Sequence, residues 1–362
     1  MNLSAMRRVF FLQMALMAGT AVVSYGAVPR PCDMRGPFPI MSTPYFEDGA
    51  VDYETLAREA QWTADCGCSG VIWCQSNDAI DLLTKDEKFK GFEACAAAVE
   101  GRNVVLTLGA NGTNAVEMLE IAKEIERVAA RHPAVKMAMI SRPPDNVRTE
   151  DELESAWDAL GAVAKRPVIF QTYCSKSTPT PSVEMLVRLA KKHPHAFGYI
   201  KEESGGNDVN LRMEKENAAK PYVKTVFSGW GGWQWLFQMR QCGSEGLVSE
   251  RCAYAPILVK IWRIYESGER GRPLAEAYAM YRLLIDQRNF PGGLRGYSLY
   301  FLKKEGVFKN LISREYEKAS VTEGGSFGNG RAWKLKSVTL TENQIRELDL
   351  LFEDMRQFAK RL

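Results

Sequence analysis

Lys201 closes a short apolar run, Phe197–Ile200, and is followed by the polar, glycine-ended stretch Glu202-Glu203-Ser204-Gly205-Gly206. A lysine at the end of a buried strand sits at the rim of a core. Desolvation there disfavours the ammonium form and lowers the amine's pKa. An amine so tuned can attack a carbonyl and form a Schiff base. A surface lysine at a strand end would leave the same trace in this stretch, so the chemistry must be read from the groups that could surround it. Ser76 and Asn77, within Gln75-Ser76-Asn77-Asp78-Ala79, offer a hydroxyl and an amide to a bound carboxylate. Tyr173 offers a hydroxyl that can move a proton, which Gln171, two residues earlier, cannot do. Arg142 and Arg251 could pair with an anion in bidentate fashion, or with Glu202, Glu203 or Glu250 at the rim of the fold.

These residues need elements to hold them. Short apolar runs rich in β-branched and aromatic residues alternate with helical patterns along the chain. The runs lie near residues 38–42, 70–74, 103–108, 135–140, 167–170, 197–200, 225–227 and 246–249. Eight such units in about 230 residues imply a parallel sheet, and a (β/α)8 TIM barrel fits them better than an open, doubly wound sheet. No Gly-x-Gly-x-x-Gly follows an early strand, so a dinucleotide fold is disfavoured. In a barrel the site collects at the carboxyl ends of the strands. Every residue named above falls just after a strand. Tyr173 and Gln171 share one face, with the tyrosine about 6–7 Å further along.

Tyr199-Ile-Lys-Glu-Glu-Ser-Gly resembles the Lys-Glu-x-Ser/Thr-Gly segment of the dihydrodipicolinate synthase / N-acetylneuraminate lyase family. Phe38-Pro-Ile-Met-Ser-Thr-Pro with Asp48-Gly is similar to that family's opening strand and turn, and Gly109-Ala-Asn to its third-strand end. Pro167-Val-Ile-Phe, Ser228-Gly and Gly246-Leu-Val-Ser fall in the same order and spacing. The resemblance covers roughly residues 37–302. It implies a barrel carrying an α-helical C-terminal extension, and Lys201 as the Schiff-base lysine toward a pyruvate-like or sugar-derived 2-oxo acid. Ser76, Asn77, Gln171 and Val248 would bind the substrate, and no cofactor would be needed. It also implies a homo-oligomer, a tetramer or a dimer. The chain departs from the family at two places. Gln75–Ala79 stands where a Gly-Thr-Thr-Gly-Glu loop is usual, so both glycines are gone and Asp78 adds a negative charge. The family's tyrosine falls on Gln171, leaving Tyr173 as its replacement. These departures keep open a second reading: an exported barrel that binds a carbohydrate or sugar acid without catalysis.

A formal charge of +3 over 362 residues gives no reason to expect nucleic acid or an anionic membrane as partner. Arg7-Arg8, the apolar run Val9–Val23 and small residues at Ser24 and Gly26 read as a twin-arginine-like export signal over 1–26. The run is too short for a comfortable membrane span. A linker over 27–36, a barrel over 37–268 and a mainly helical extension over 269–362 complete the expected organisation, with a glycine-rich break near 324–330. The cysteines form no paired Cys-x-x-Cys sets, and the three histidines sit at helix ends away from the expected mouth. No metal site is therefore expected. Cys74, Cys95 and Cys242 lie in apolar patterns and read as small buried hydrophobes.

Overall fold

The computed structural model describes residues 34–76, 78, 80–173, 178–204, 208–286, 293–316 and 333–360. The expected export signal, most of the linker, the glycine-rich break and Asn77 lie outside the described residues. Eight strands are all paired in parallel: β1 Gly36–Pro39, β2 Gly70–Trp73, β3 Val105–Gly109, β4 Lys136–Ser141, β5 Val168–Gln171, β6 Tyr199–Glu202, β7 Thr225–Ser228 and β8 Gly246–Ser249. The order β1-β8-β7-β6-β5-β4-β3-β2 is closed into a barrel by a parallel bridge between Ile40 and Ile72 and by Met41 N–H donating to Ile72 O at 2.8 Å.

The strands read as continuous apolar runs because both of their faces are covered. Phe38, Ile40, Ile72, Ile140, Ile169 and Phe227 point into the lumen and form one cluster. Their outward neighbours, among them Val71, Trp73, Leu106, Phe170 and Ile200, pack under the surrounding helices. The helices are α1 Tyr53–Asp65, α2 Lys85–Val99, α3 Ala115–Arg131, α4 Glu150–Val163, α5 Val183–Lys192 and α6 Val209–Ala218. Asp52, Thr84, Asn114, Thr149 and Ser182 each accept the backbone N–H of the third residue of the helix that follows. Helix starts are thereby fixed on the side where the strands end, the side of the expected site. Helix α6 carries only a weak amphipathic signal: Val209, Met213 and Glu216 are its buried positions, and the last is a carboxyl.

After β8, helices α7 Ala255–Glu266, α8 Arg272–Ile285, α9 Gly293–Lys304 and α10 Glu342–Lys360 build a second core around Tyr254, Tyr281, Phe301 and Phe352. The extension is not purely helical. Ile312–Tyr316 and Trp333–Ser337 form an antiparallel pair, β9–β10. Three consecutive polar residues, Ser313, Arg314 and Glu315, break the alternation of the first run, and the second alternates over only five residues, so neither stands out as a strand. Arg314 explains why the pair docks. Its buried guanidinium donates to Gly49 O (2.8 and 3.1 Å), to Leu82 O (2.8 Å) and to the Glu87 carboxylate (2.6 and 3.0 Å). It is stacked between Tyr45 and Trp333, 4.7 and 4.1 Å from their ring centres. Replacing one partner of a buried, hydrogen-bonded ion pair costs about 3 kcal/mol or more. Arg314→Ala is therefore expected to release the hairpin. Backbone amides of β9 and β10 should then exchange faster while those of β4–β6 keep their protection, as hydrogen exchange would show.

Candidate functional site

Lys201 lies inside the barrel at the end of β6, in register with Gln171 on β5 and Phe227 on β7. Its side chain is 1% exposed, and its Nζ lies 2.9 Å from Glu203 Oε1. The two residues are two apart on an extended chain and so face the same way. Burial is thus only half of the lysine's environment. A carboxylate in contact with its nitrogen is the other half.

Glu203 is held on all sides. Trp230 N–H donates to Oε1 at 2.9 Å, Gln171 Nε2 donates to Oε2 at 2.8 Å, and Glu203 N–H donates to Thr172 Oγ1 at 2.6 Å. The side chain lies across Gly229, where a Cβ would sit 2.0 Å from Glu203 Cγ and 2.4 Å from Glu202 O. Only glycine allows that approach. Trp230 adopts φ +49°, a left-handed conformation that is uncommon for a non-glycine residue, and its amide is the one that meets the carboxylate.

The network continues to β2. Gln75 Nε2 donates to Gln171 Oε1, and Gln171 Nε2 also reaches Ser76 Oγ at 3.4 Å. Gln75, Gln171, Lys201 and Glu203 are all buried. Cys74 makes this possible: at φ +64° it turns the end of β2 over β3, its carbonyl where a Cβ on Gly109 would lie only 1.8 Å away. The resulting line is Gln75, Gln171, Glu203, Lys201, polar and closely packed at the carboxyl ends of three strands, β2, β5 and β6.

The structure thus joins Ser76, Gln171 and Lys201. Gln171 is engaged on both its amide oxygen and its nitrogen, so it reaches a ligand only by exchanging those bonds. Tyr173 stands half-buried at the rim, its ring edge-on to Trp230 with centroids 5.5 Å apart. Val248 faces the lumen in register with Phe38, part of the apolar floor. Asp78 turns away from the mouth: it is buried and accepts Thr43 N–H at 2.9 Å and the Thr43 hydroxyl. Its charge therefore ties the second strand's loop to the first instead of facing the cavity. Arg142 pairs with Asp145 at 3.3 Å, Arg251 donates to the Glu250 carbonyl at 2.8 Å, and Glu202 is taken by Arg212 at 2.9 Å. Glu203 as the lysine's partner was missed. The Lys-x-Glu spacing on a strand was the available signal.

Trp235 is fully buried in the second core and Trp233 packs against it, so only Trp230 of that trio stands near the mouth. His132 and His193 meet Glu93 and Asp158 at 2.7 and 2.8 Å, and His195 meets Ala164 O at 3.0 Å, all remote from Lys201. Cys66, Cys68, Cys74, Cys95, Cys242 and Cys252 are buried free thiols. Burial pushes Cys74 up to about 12 and Cys242 to about 11, which keeps them protonated and inert. Among the described residues no cluster of three or more His, Cys, Asp or Glu side chains could hold a metal ion. Among them, too, no helix is long and apolar enough to cross a membrane.

Residues 33–284, more than half of the chain, match the model of the Dihydrodipicolinate synthetase family. The chain belongs to that family. Among its curated relatives, a 4-hydroxy-tetrahydrodipicolinate synthase from Rhizobium meliloti is 27% identical over 47% of this chain and 56% of its own length. One from Agrobacterium fabrum is 24% identical over 62% of this chain and 72% of its own. The match thus spans little more than half of the first relative. Solved structures agree in fold. A dihydrodipicolinate synthase from Rhodopseudomonas palustris superposes with a TM-score of 0.70 at 16% identity, covering 90% of this chain and 99% of the other. A Ruminococcus gnavus sialic acid aldolase gives 0.69 at 15%, covering 90% and 98%. Members of the Dihydrodipicolinate synthetase family thus share this barrel at low sequence identity.

Proposed function

We propose that this protein is a Schiff-base-forming lyase acting on a pyruvate-like or sugar-derived 2-oxo acid. The observation that carries the reading is Lys201: a buried primary amine inside a closed barrel of this family, at the carboxyl end of β6, with a carboxylate 2.9 Å from its nitrogen. In this reading Lys201 condenses with the 2-carbonyl, and the protonated imine withdraws electrons so that an adjacent C–C or C–O bond breaks or forms. Ser76 and Asn77 orient the substrate's carboxylate, and Tyr173 with Trp230 forms one wall of the entrance. The apparent export signal supports a role outside the cytoplasm, in the breakdown of sugar acids, and the family likeness supports a homo-oligomer.

The test is intact mass after incubation with pyruvate and with 2-keto-3-deoxy sugar acids under sodium borohydride. A reduced adduct on Lys201, present in the parent protein and absent from Lys201→Arg, is expected with at least one compound. Folded protein that forms no adduct with any of them would exclude the lyase. One observation favours the rival, a barrel that binds a sugar acid without catalysis: both faces of the Gln171 amide are saturated by Gln75 and Glu203, where a proton-carrying side chain would be useful. Saturable binding of a sugar acid without any trapped adduct would establish that rival.

A further inference from the structure

We propose that Glu203 is the acid–base group of this site, moving protons to and from Lys201 in place of a tyrosine. The inference rests on Lys201 forming an imine, and it goes beyond it by naming the residue that makes and breaks that imine. Three observations carry it. First, Glu203 Oε1 touches the reacting nitrogen itself, at 2.9 Å, within the reach required of a proton-transfer partner. Second, Gln171, the neighbour of Glu203 on β5, is an amide that exchanges no proton; it donates to Glu203 Oε2 and so works as a positioning residue. Third, Tyr173 packs its ring edge against Trp230 at the rim.

The carboxylate is also pre-aimed. Trp230 N–H holds the same oxygen that meets Lys201, Gln171 holds the other, and Gly229 leaves the space the side chain crosses. A group fixed by a backbone amide in an uncommon conformation keeps its orientation when the lysine changes its bonding.

The proton inventory closes without any further reactant. Lys201 ammonium gives a proton to the Glu203 carboxylate, and the free amine attacks the carbonyl carbon while the carbonyl π electrons move to oxygen. Transfer of an N–H proton to that oxygen gives the neutral carbinolamine. Glu203, now a carboxylic acid, protonates the carbinolamine hydroxyl, the C–O bond breaks, water leaves, and the nitrogen lone pair forms the protonated imine. One positive charge on nitrogen and one negative charge on Glu203 are present at the start and at the end.

The experiment is the rate of borohydride-trapped adduct formation on Lys201, followed by mass, with whichever 2-oxo acid the parent protein accepts. Glu203→Gln keeps the shape and still accepts Trp230 N–H, so its effect isolates the proton. Glu203→Ala opens a space that sodium formate can enter as a replacement acid. We expect trapping to slow by about 10²–10⁴-fold in both variants. Formate should restore a large part of the rate in Glu203→Ala and none in Glu203→Gln, which no packing role would produce. Trapping at the parent rate in folded Glu203→Gln, together with its loss in Tyr173→Phe, would overturn the proposal and leave the imine chemistry standing. Absence of any adduct in the parent protein would instead remove the imine chemistry, and this proposal with it.

Discussion

Lys201→Met is expected to destabilise the protein by about 3–5 kcal/mol, although it replaces a charged side chain by one better suited to a core. The reason is the partner left behind. Burying two opposite charges costs solvation that their attraction barely repays, so the intact pair adds little net stability, whereas deleting one member strands the other. Glu203 would then keep its hydrogen bonds from Trp230 and Gln171 but lose the cation 2.9 Å away. Lys201→Met combined with Glu203→Gln should recover most of the loss, because no buried charge remains and the Gln oxygen can still accept Trp230 N–H. Urea unfolding midpoints at constant slope would check this. If the single and the double variants lose the same amount, the two side chains are not energetically coupled and the pair has been misread.

Stability is expected to fall as pH rises from about 5 toward 8, the opposite of the usual behaviour of surface carboxylates. Glu59 and Glu216 are fully buried, and desolvation raises both well above the ordinary carboxylate range. Glu202 beside Glu216 and Asp78 near Glu59 push in the same direction. The folded state therefore binds protons that the unfolded chain has released. Below the unfolded value, near 4.5, both states hold them and nothing is lost. Above it, each carboxyl removes about 1.4 kcal/mol of stability per pH unit until its folded value is reached. Glu59→Gln retains an acceptor for Ser42 N–H, which now reaches the carboxyl at 3.1 and 3.2 Å. This variant should flatten the profile of unfolding free energy against pH, and Glu216→Gln should flatten it again. A parent profile that is level or rising between pH 5 and 8 would contradict the assignment.

The barrel was legible in the sequence because each strand is short, apolar on both faces and followed by a polar cap, a pattern that depends on local residue choice alone. Helix α6 was the exception, since one of its few buried positions is a carboxyl, Glu216, that only its neighbours Glu202 and Arg212 make tolerable. The lysine was legible for the same local reason. Its surroundings were not. That Gln171 would face Glu203 across one strand pair, and meet Gln75 of β2 with β3 and β4 between them, depends on register and on the left-handed turn at Cys74, and no spacing along the chain reports either. Asp78 shows the limit most clearly: its position in the loop suggested a charge in the mouth, and only the fold reveals that it serves Thr43.

The Arg314 clasp also orders events in time. Its carbonyl partner Gly49 lies 265 residues earlier in the chain. At synthesis rates of about 5–20 residues per second, the turn after the first strand waits on the order of tens of seconds before that guanidinium leaves the ribosome. Until then the carbonyl oxygens of Gly49 and Leu82 and the Glu87 carboxylate must be satisfied by water, and contacts this distant contribute to the slow phases of folding. The hairpin is thus the last fastening applied to the first part of the barrel made, and a nascent chain cut short before residue 314 would carry all eight strands with its opening turn still unlatched.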